Sequence, residues 1–307
     1  MAESYLGVRL DSLKRAQNPD GGWGYFPGKR SWLEPTVYAA LALAGEPAAD
    51  RAWELLRGWQ GADGSWRPSD GVAVESFGTA LCITLALSRG EVTRGAEGAS
   101  VDKALVDKAM EWLLAMEGTE SNLASRLIAK MGWVDFERNV SLRGWPWKPD
   151  TSSWVEPTAH ALIALKKVAA KGGTWKGRAK LGALVERVRL GEAQLLDIRC
   201  HDGGWNYGNR EARKVALPSY PETTGIALTG LQGHAGLGAA LDYAVREVGT
   251  TVSPMGRAWL TIGLRLHDAS VPANPTWAPP PDLQILALEA LAAPEGNYGA
   301  LRTEALA

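Results

Sequence analysis

Gln17-Asn18-Pro19-Asp20-Gly21-Gly22-Trp23 and Gln60-Gly61-Ala62-Asp63-Gly64-Ser65-Trp66 share one pattern, Q-x-x-x-G-x-W. Two more sites match it in part: Gly144-Trp145, and Asp202-Gly203-Gly204-Trp205, which carries Arg199 where the glutamine would stand. Repetition of this kind decides a fold. Each copy is one supersecondary unit that must stack on its neighbours to bury its apolar face.

The agreement continues beyond each tryptophan. Ser31-Trp32-Leu33-Glu34-Pro35-Thr36 matches Ser153-Trp154-Val155-Glu156-Pro157-Thr158. In both copies the Glu follows the repeat Trp by 11 residues and the Thr by 13. Thr79 also follows Trp66 by 13, with Phe77 in the place of the Glu and Glu75 two residues earlier. The fourth copy has a longer loop and then Glu222-Thr223-Thr224. Each Thr opens an Ala- and Leu-rich run, 37–44, 80–87, 159–168 and 225–231, which reads as a helix buried on most sides. Pro in the first turn, Glu near the N-terminus and Thr as a cap all suit such a start.

Between these runs lie segments with an apolar stripe among charges: 48–60, 101–116, 176–198 and 240–248. They read as outer helices. Segments 255–266 and 282–291 add two late helices, 121–133 reads as a degenerate unit, and the Pro-rich 268–281 reads as a strap or loop. The expectation is an all-α single domain over 1–307: an (α/α) toroid of about six helical hairpins in inner and outer layers, with an open solenoid as the alternative.

Composition limits the function. A net charge of -1 with no Lys/Arg run gives no field for nucleic acid. Two cysteines, Cys82 and Cys200, cannot build a disulfide framework, and no apolar stretch reaches the ~20 residues of a membrane span. No leader pattern is read, so the expected location is cytoplasmic, with peripheral membrane contact left open. Fourteen tryptophans against three phenylalanines suggest either a repeated packing task or a binding surface.

The Q-x-x-x-G-x-W units, each followed by a Thr-led helix, resemble the repeats of squalene–hopene cyclases and related class II terpenoid cyclases, and those of protein prenyltransferase β-subunits. The likeness runs from about Gln17 to Leu231. It implies a toroid that binds a terpenoid or prenyl substrate in a central aromatic cavity and, if catalytic, cyclises it by protonation. The cyclases use Asp-x-Asp-Asp-Thr at the start of an inner helix. This chain has no such motif; aligning the Thr-Ala pair sets Glu156 at the central acid, with His160 one helical turn on. The resemblance therefore implies Glu156 and His160 as catalytic candidates, against a capping role suggested by the second Glu-Pro-Thr at Glu34. Substrate contacts would come from Trp32, Glu34, Tyr38, Phe77, Trp154, Tyr220, Glu222 and Trp259.

The prenyltransferase zinc set is not reproduced. Asp197, Cys200 and His201 cluster, but without the family's spacing, so no metal site is assigned. No cofactor is expected, with Mg²⁺ needed only if the substrate is a diphosphate. Two other readings stay open: a noncatalytic isoprenoid- or protein-binding scaffold, and a carbohydrate-active toroid enzyme, since tryptophan platforms with paired carboxylates suit sugars.

Overall fold

A computed structural model describes residues 4–92, 101–121, 123–131, 138–170, 178–272 and 278–304. In chain order its helices are α1 (Tyr5–Ala16), α2 (Leu33–Ala42), α3 (Pro47–Arg57), α4 (Gly78–Val92), α5 (Val101–Ala115), α6 (Leu123–Lys130), α7 (Val155–Ala170), α8 (Arg178–Asp197), α9 (Pro221–Gly230), α10 (Gly238–Thr250), α11 (Pro254–Leu266) and α12 (Leu283–Ala292). Extended structure among the described residues is limited to two short ribbons, Trp145–Pro146 with Ser153–Trp154 and Glu211–Ala212 with Val215–Ala216, and to single bridges from Trp66 to Gln60 and Ser76.

The inner layer closes. Helix α2 packs on α4, α4 on α7, α7 on α9, α9 on α11, α11 on α12, and α12 returns to α2. The outer layer sets α3 against α2, α5 against α4, α8 against α7, α10 against both α9 and α11, and α1 against α12. This is the (α/α) toroid, and it is not an open solenoid. The four Thr-led runs and the two late helices fill the ring. Segment 121–133 does not: its described part, α6, lies outside, with Leu127 and Met131 each 50% exposed. One apolar stripe cannot supply the all-round burial that an inner place requires. Residues 122 and 132–133 of that segment and 273–277 of the strap lie outside the described residues. Helix α1 had no repeat to announce it.

Each repeat Trp is held in the same way. Its backbone N–H donates to the Thr that follows it: Trp23 to Thr36 (2.9 Å), Trp66 to Thr79 (2.8 Å), Trp145 to Thr158 (2.9 Å) and Trp205 to Thr224 (2.9 Å). Its indole N–H donates to a carbonyl near the end of the preceding outer helix: Leu13 (2.8 Å), Leu56 (2.7 Å), Leu113 (2.8 Å) and Leu195 (2.6 Å). Those carbonyls lie in the last turn of their helices, where intrahelical donors run out, so the Trp serves as both wedge and cap; Leu56 O accepts from the Trp59 N–H as well, at 2.9 Å. The glutamines tie units together. Gln17 Nε2 donates to Gly21 and, on the next outer helix, Ala48; Gln60 Nε2 does so to Gly64 and Leu105. Gly21, Gly64 and Gly203 have φ of 93°, 97° and 101°, where an added Cβ would meet a backbone oxygen of the next outer helix at 2.5–2.7 Å.

A second backbone bond joins neighbouring units. The residue two places after the repeat Trp accepts from the amide at the start of the preceding inner helix: Pro68 from Leu33, Trp147 from Phe77, Tyr207 from Val155. Tyr25 accepts from Leu283 at the start of α12 by the same bond, so the joint that closes the ring repeats those inside it. Beside it, buried Arg9 of α1 pairs with Glu289 of α12 at 2.8 Å. At one end of the ring the 298–301 turn acts as a stopper: Ser88 donates to Ala300, Gln232 to Leu301, and neighbouring Asn297 to Leu41. The opposite end carries the N-termini of the inner helices.

Candidate functional site: an acidic collar at the toroid mouth

The second residues of α2, α7, α9, α11 and α12 are Glu34, Glu156, Glu222, Met255 and Gln284. All five line one cavity of about 200 Å³, open to solvent, with Tyr25, Tyr207, Thr223, Ile226 and Trp259. One position per inner helix thus forms a collar. At α4 the place belongs to Phe77, just before the helix and fixed by Thr79 two residues later, and Phe77 is buried against Trp147 with ring centres 4.6 Å apart.

Two of the three acids are held by phenols. Tyr25 donates to Glu34 Oε2 at 3.0 Å, and Tyr207 to Glu222 Oε1 at 2.6 Å. The carboxyl of Glu156 accepts no hydrogen bond from any described residue; His160 Nε2 lies 3.9 Å from its Oε1. Burial, then the charges of Glu34 and Glu222, push its pKa up to about 8. Burial also raises Glu34, against the Tyr25 hydrogen bond. Burial lowers His160 to about 3. The close approach of Glu156 and His160 is therefore a contact between two neutral groups at neutral pH, and not an ion pair.

Behind the collar the ring is filled. His160 Nε2 lies 3.1 Å from Tyr38 Oη, and both side chains are buried. Trp259 meets the Tyr38 ring edge-on at 5.6 Å and the His160 ring at 5.7 Å; Phe77 lies 6.1 Å from His160. Of the aromatic residues proposed from sequence, only Trp259 lines the cavity. Tyr38 and Phe77 pack beneath it. Trp32 stacks on Tyr25 at 6.1 Å, Trp154 pairs with Trp145 in a ribbon, and Tyr220 lies outside against Tyr207 at 5.4 Å. Of the two residues proposed as catalytic, Glu156 lines the cavity and His160 is one layer below.

Sequence reading missed Tyr25, Tyr207, Met255 and Gln284. A signal existed for the tyrosines: each stands two residues after a repeat Trp. Met255 and Gln284 belong to units with no Trp turn, so nothing set their register. Gln284 is 5% exposed, and its side-chain amide has no hydrogen-bond partner among the described residues. No Lys or Arg is among the lining residues. Among the described residues no three His, Cys, Asp or Glu converge closely enough to hold a metal ion, and no helix is long and apolar enough to cross a membrane.

No family model matches the chain, and no curated protein matches its sequence. Solved structures match by shape. The chain is similar to endoglucanase Cel10, a family 8 glycosyl hydrolase from Klebsiella pneumoniae, at 13% identity and a TM-score of 0.60, covering 93% of this chain and 97% of that one. It is similar to the type II terpene cyclase MstE from Scytonema at 17% identity and a TM-score of 0.50, covering 86% and 73%. It is also similar to ent-copalyl diphosphate synthase from Streptomyces platensis at 18% identity and a TM-score of 0.50, covering 92% of this chain but 45% of that one. At these identities the likeness is one of fold: a helical toroid found in terpene cyclases and in glycosidases alike.

Proposed function

We propose that the protein is an acid–base enzyme that cleaves an acetal-type C–O bond of a compact, carbohydrate-like substrate held in the collar. The observation that carries this reading is Glu156: a carboxyl without a hydrogen-bond partner among the described residues, at an open cavity, between Glu34 and Glu222. Such a group holds its proton at neutral pH and releases it to a leaving oxygen. In the step, Glu156 gives its proton to the leaving oxygen as the C–O bond breaks. Water adds to the carbon, and its proton passes to Glu222, which Tyr207 holds in place. A cavity of about 200 Å³ suits one ring of a substrate better than a long chain. The likeness in shape to a glycosyl hydrolase is compatible with this reading and is not its basis.

The terpenoid reading keeps one observation in its favour. Trp259 gives the cavity an aromatic wall, which would attract a developing cation. Against cyclisation stands the chemistry of the acid: alkene protonation requires a strong one, and burial among carboxyls makes Glu156 weak. The lining also offers no cationic side chain to a diphosphate.

The test is product analysis by mass spectrometry with isotope-labelled water. Aryl glycosides, squalene and prenyl diphosphates are each incubated with the parent, Glu156→Gln and Glu222→Gln. Label in the glycone, and loss of about 10²-fold or more in rate with Glu156→Gln, is expected. Cyclised hydrocarbon products that depend on Glu156 would transfer the assignment to the terpenoid reading. Glycoside turnover indifferent to Glu156 would end the acid–base assignment.

A further inference from the structure

The collar has hydrogen-bond acceptors to spare. Tyr25 occupies one oxygen of Glu34, and Tyr207 one oxygen of Glu222. The other oxygen of each, both oxygens of Glu156 and the amide of Gln284 have no hydrogen-bond partner among the described residues. Gln284 is an observation separate from the acids: a side chain 5% exposed on the cavity wall, whose amide makes no hydrogen bond to a described residue and meets the solvent of the cavity. The carboxyls are distributed round the cavity and do not converge on a metal-sized point. The matching partner is therefore larger than a bare metal ion, rich in donors and positively charged. An ammonium group has three donors and no acceptor, and Trp259 presents an aromatic surface beside the acids.

We infer that the collar selects a ligand with a positive charge: a compact ring bearing a protonated amine, favoured over its neutral and anionic counterparts. This rests on reading the collar as the substrate site, and it narrows the substrate class to amino sugars or ring amines of similar size. An anionic sugar would meet Glu34 and Glu222 and no compensating Lys or Arg among the lining residues. The ammonium would lie between Glu34 and Glu222, with the protonated Glu156 left to the leaving oxygen, the ring on Trp259 and the Gln284 amide meeting its polar edge.

Equilibrium binding separates this from the question of turnover. Titration calorimetry on the full chain at about pH 7 uses two sets, each with one ring skeleton and one substituent that is changed to alter the charge. One is glucosamine, glucose and glucuronate; the other is cyclohexylammonium, cyclohexanol and cyclohexanecarboxylate. The cation is expected to bind at least about 10-fold more tightly than the neutral member in both sets, with affinity falling as salt rises. Glu34→Gln and Glu222→Gln should each narrow that preference about 3- to 10-fold, read as the ratio of cation to neutral affinity. Gln284→Leu should weaken the sugars and spare the cyclohexyl cation. Equal affinity across charges, or preference for the anion, overturns the inference even where neutral glycosides are turned over. Selectivity confined to the cyclohexyl set upholds the cation site and removes the carbohydrate substrate. Selectivity in both sets, without turnover of any glycoside, upholds the cation site and removes the catalytic reading.

Discussion

Glu156 and His160 stand one helical turn apart, and burial displaces both from their ordinary behaviour in opposite ways. Glu156 rises from 4.5 to about 8, so the folded chain holds a proton that the unfolded chain has released, and stability falls as pH climbs through that range. His160 drops from 6.5 to about 3, so stability falls as pH descends from 6.5. The two oppose each other between 4.5 and 6.5, and only Glu156 of the pair acts from 6.5 to 8. In that upper window the parent should lose about 2 kcal/mol in urea unfolding, and Glu156→Gln should remove most of the slope. Glu34 is raised as well, chiefly by burial, and contributes with the same sign. An unchanged slope in the variant would disprove the raised acid. Beneath the collar, Tyr38→Phe leaves the buried His160 Nε2 without its partner and should cost about 1–3 kcal/mol. The acids were legible because Glu34, Glu156 and Glu222 stand in register with a repeated Thr. What their neighbours do was not: whether an aromatic residue lines a cavity or fills the space beneath it depends on side-chain packing that spacing does not encode.

At the level of elements, the Trp turn is the unit of construction. The Thr hydroxyl receives the Trp amide at all four turns, so Thr158→Val, which keeps shape and removes the acceptor, should cost about 1–3 kcal/mol, while Thr158→Ser should cost less. Gly64→Ala combines a φ of 97° with a Cβ placed 2.5 Å from the Lys108 carbonyl oxygen. Its melting temperature should fall by more than that of an exposed Ala substitution in α3, because backbone and neighbour must both move. Helices led by a repeat Trp were readable to within a few residues. Helix α1 was not, since the chain reaches it before any Trp turn. The segment 121–133 misled because its apolar content resembles that of an inner helix, whereas α6 has one apolar stripe and stays at the edge.

On the scale of the whole molecule, the ring brings together residues 280 positions apart, and the Arg9–Glu289 pair marks the place. Contacts of that separation form late, after the intervening units have ordered. Glu289→Gln removes the carboxylate charge that faces buried Arg9 and should cost about 3 kcal/mol. Stopped-flow unfolding should show that loss mainly as faster unfolding, with the refolding rate little altered. A slowed refolding limb would instead place closure early. Closure itself was not legible. Periodicity gives the order of the inner helices, but an open array has the same period, and the contacts of α12 with α2, α1 and Tyr25 distinguish the two.

The joint between units has a consequence for how such a chain diverges. It links a backbone carbonyl to a backbone amide, and Tyr25, Pro68, Trp147 and Tyr207 all serve it equally well. The position is indifferent to its side chain as far as the scaffold is concerned, yet at Tyr25 and Tyr207 that side chain reaches the mouth and holds an acid. The collar position is similar: Glu, Phe, Met and Gln all occupy it around one ring. Mutation at these two places in each unit can revise what enters the mouth while the architecture is inherited intact, so new chemistry can arise here one side chain at a time.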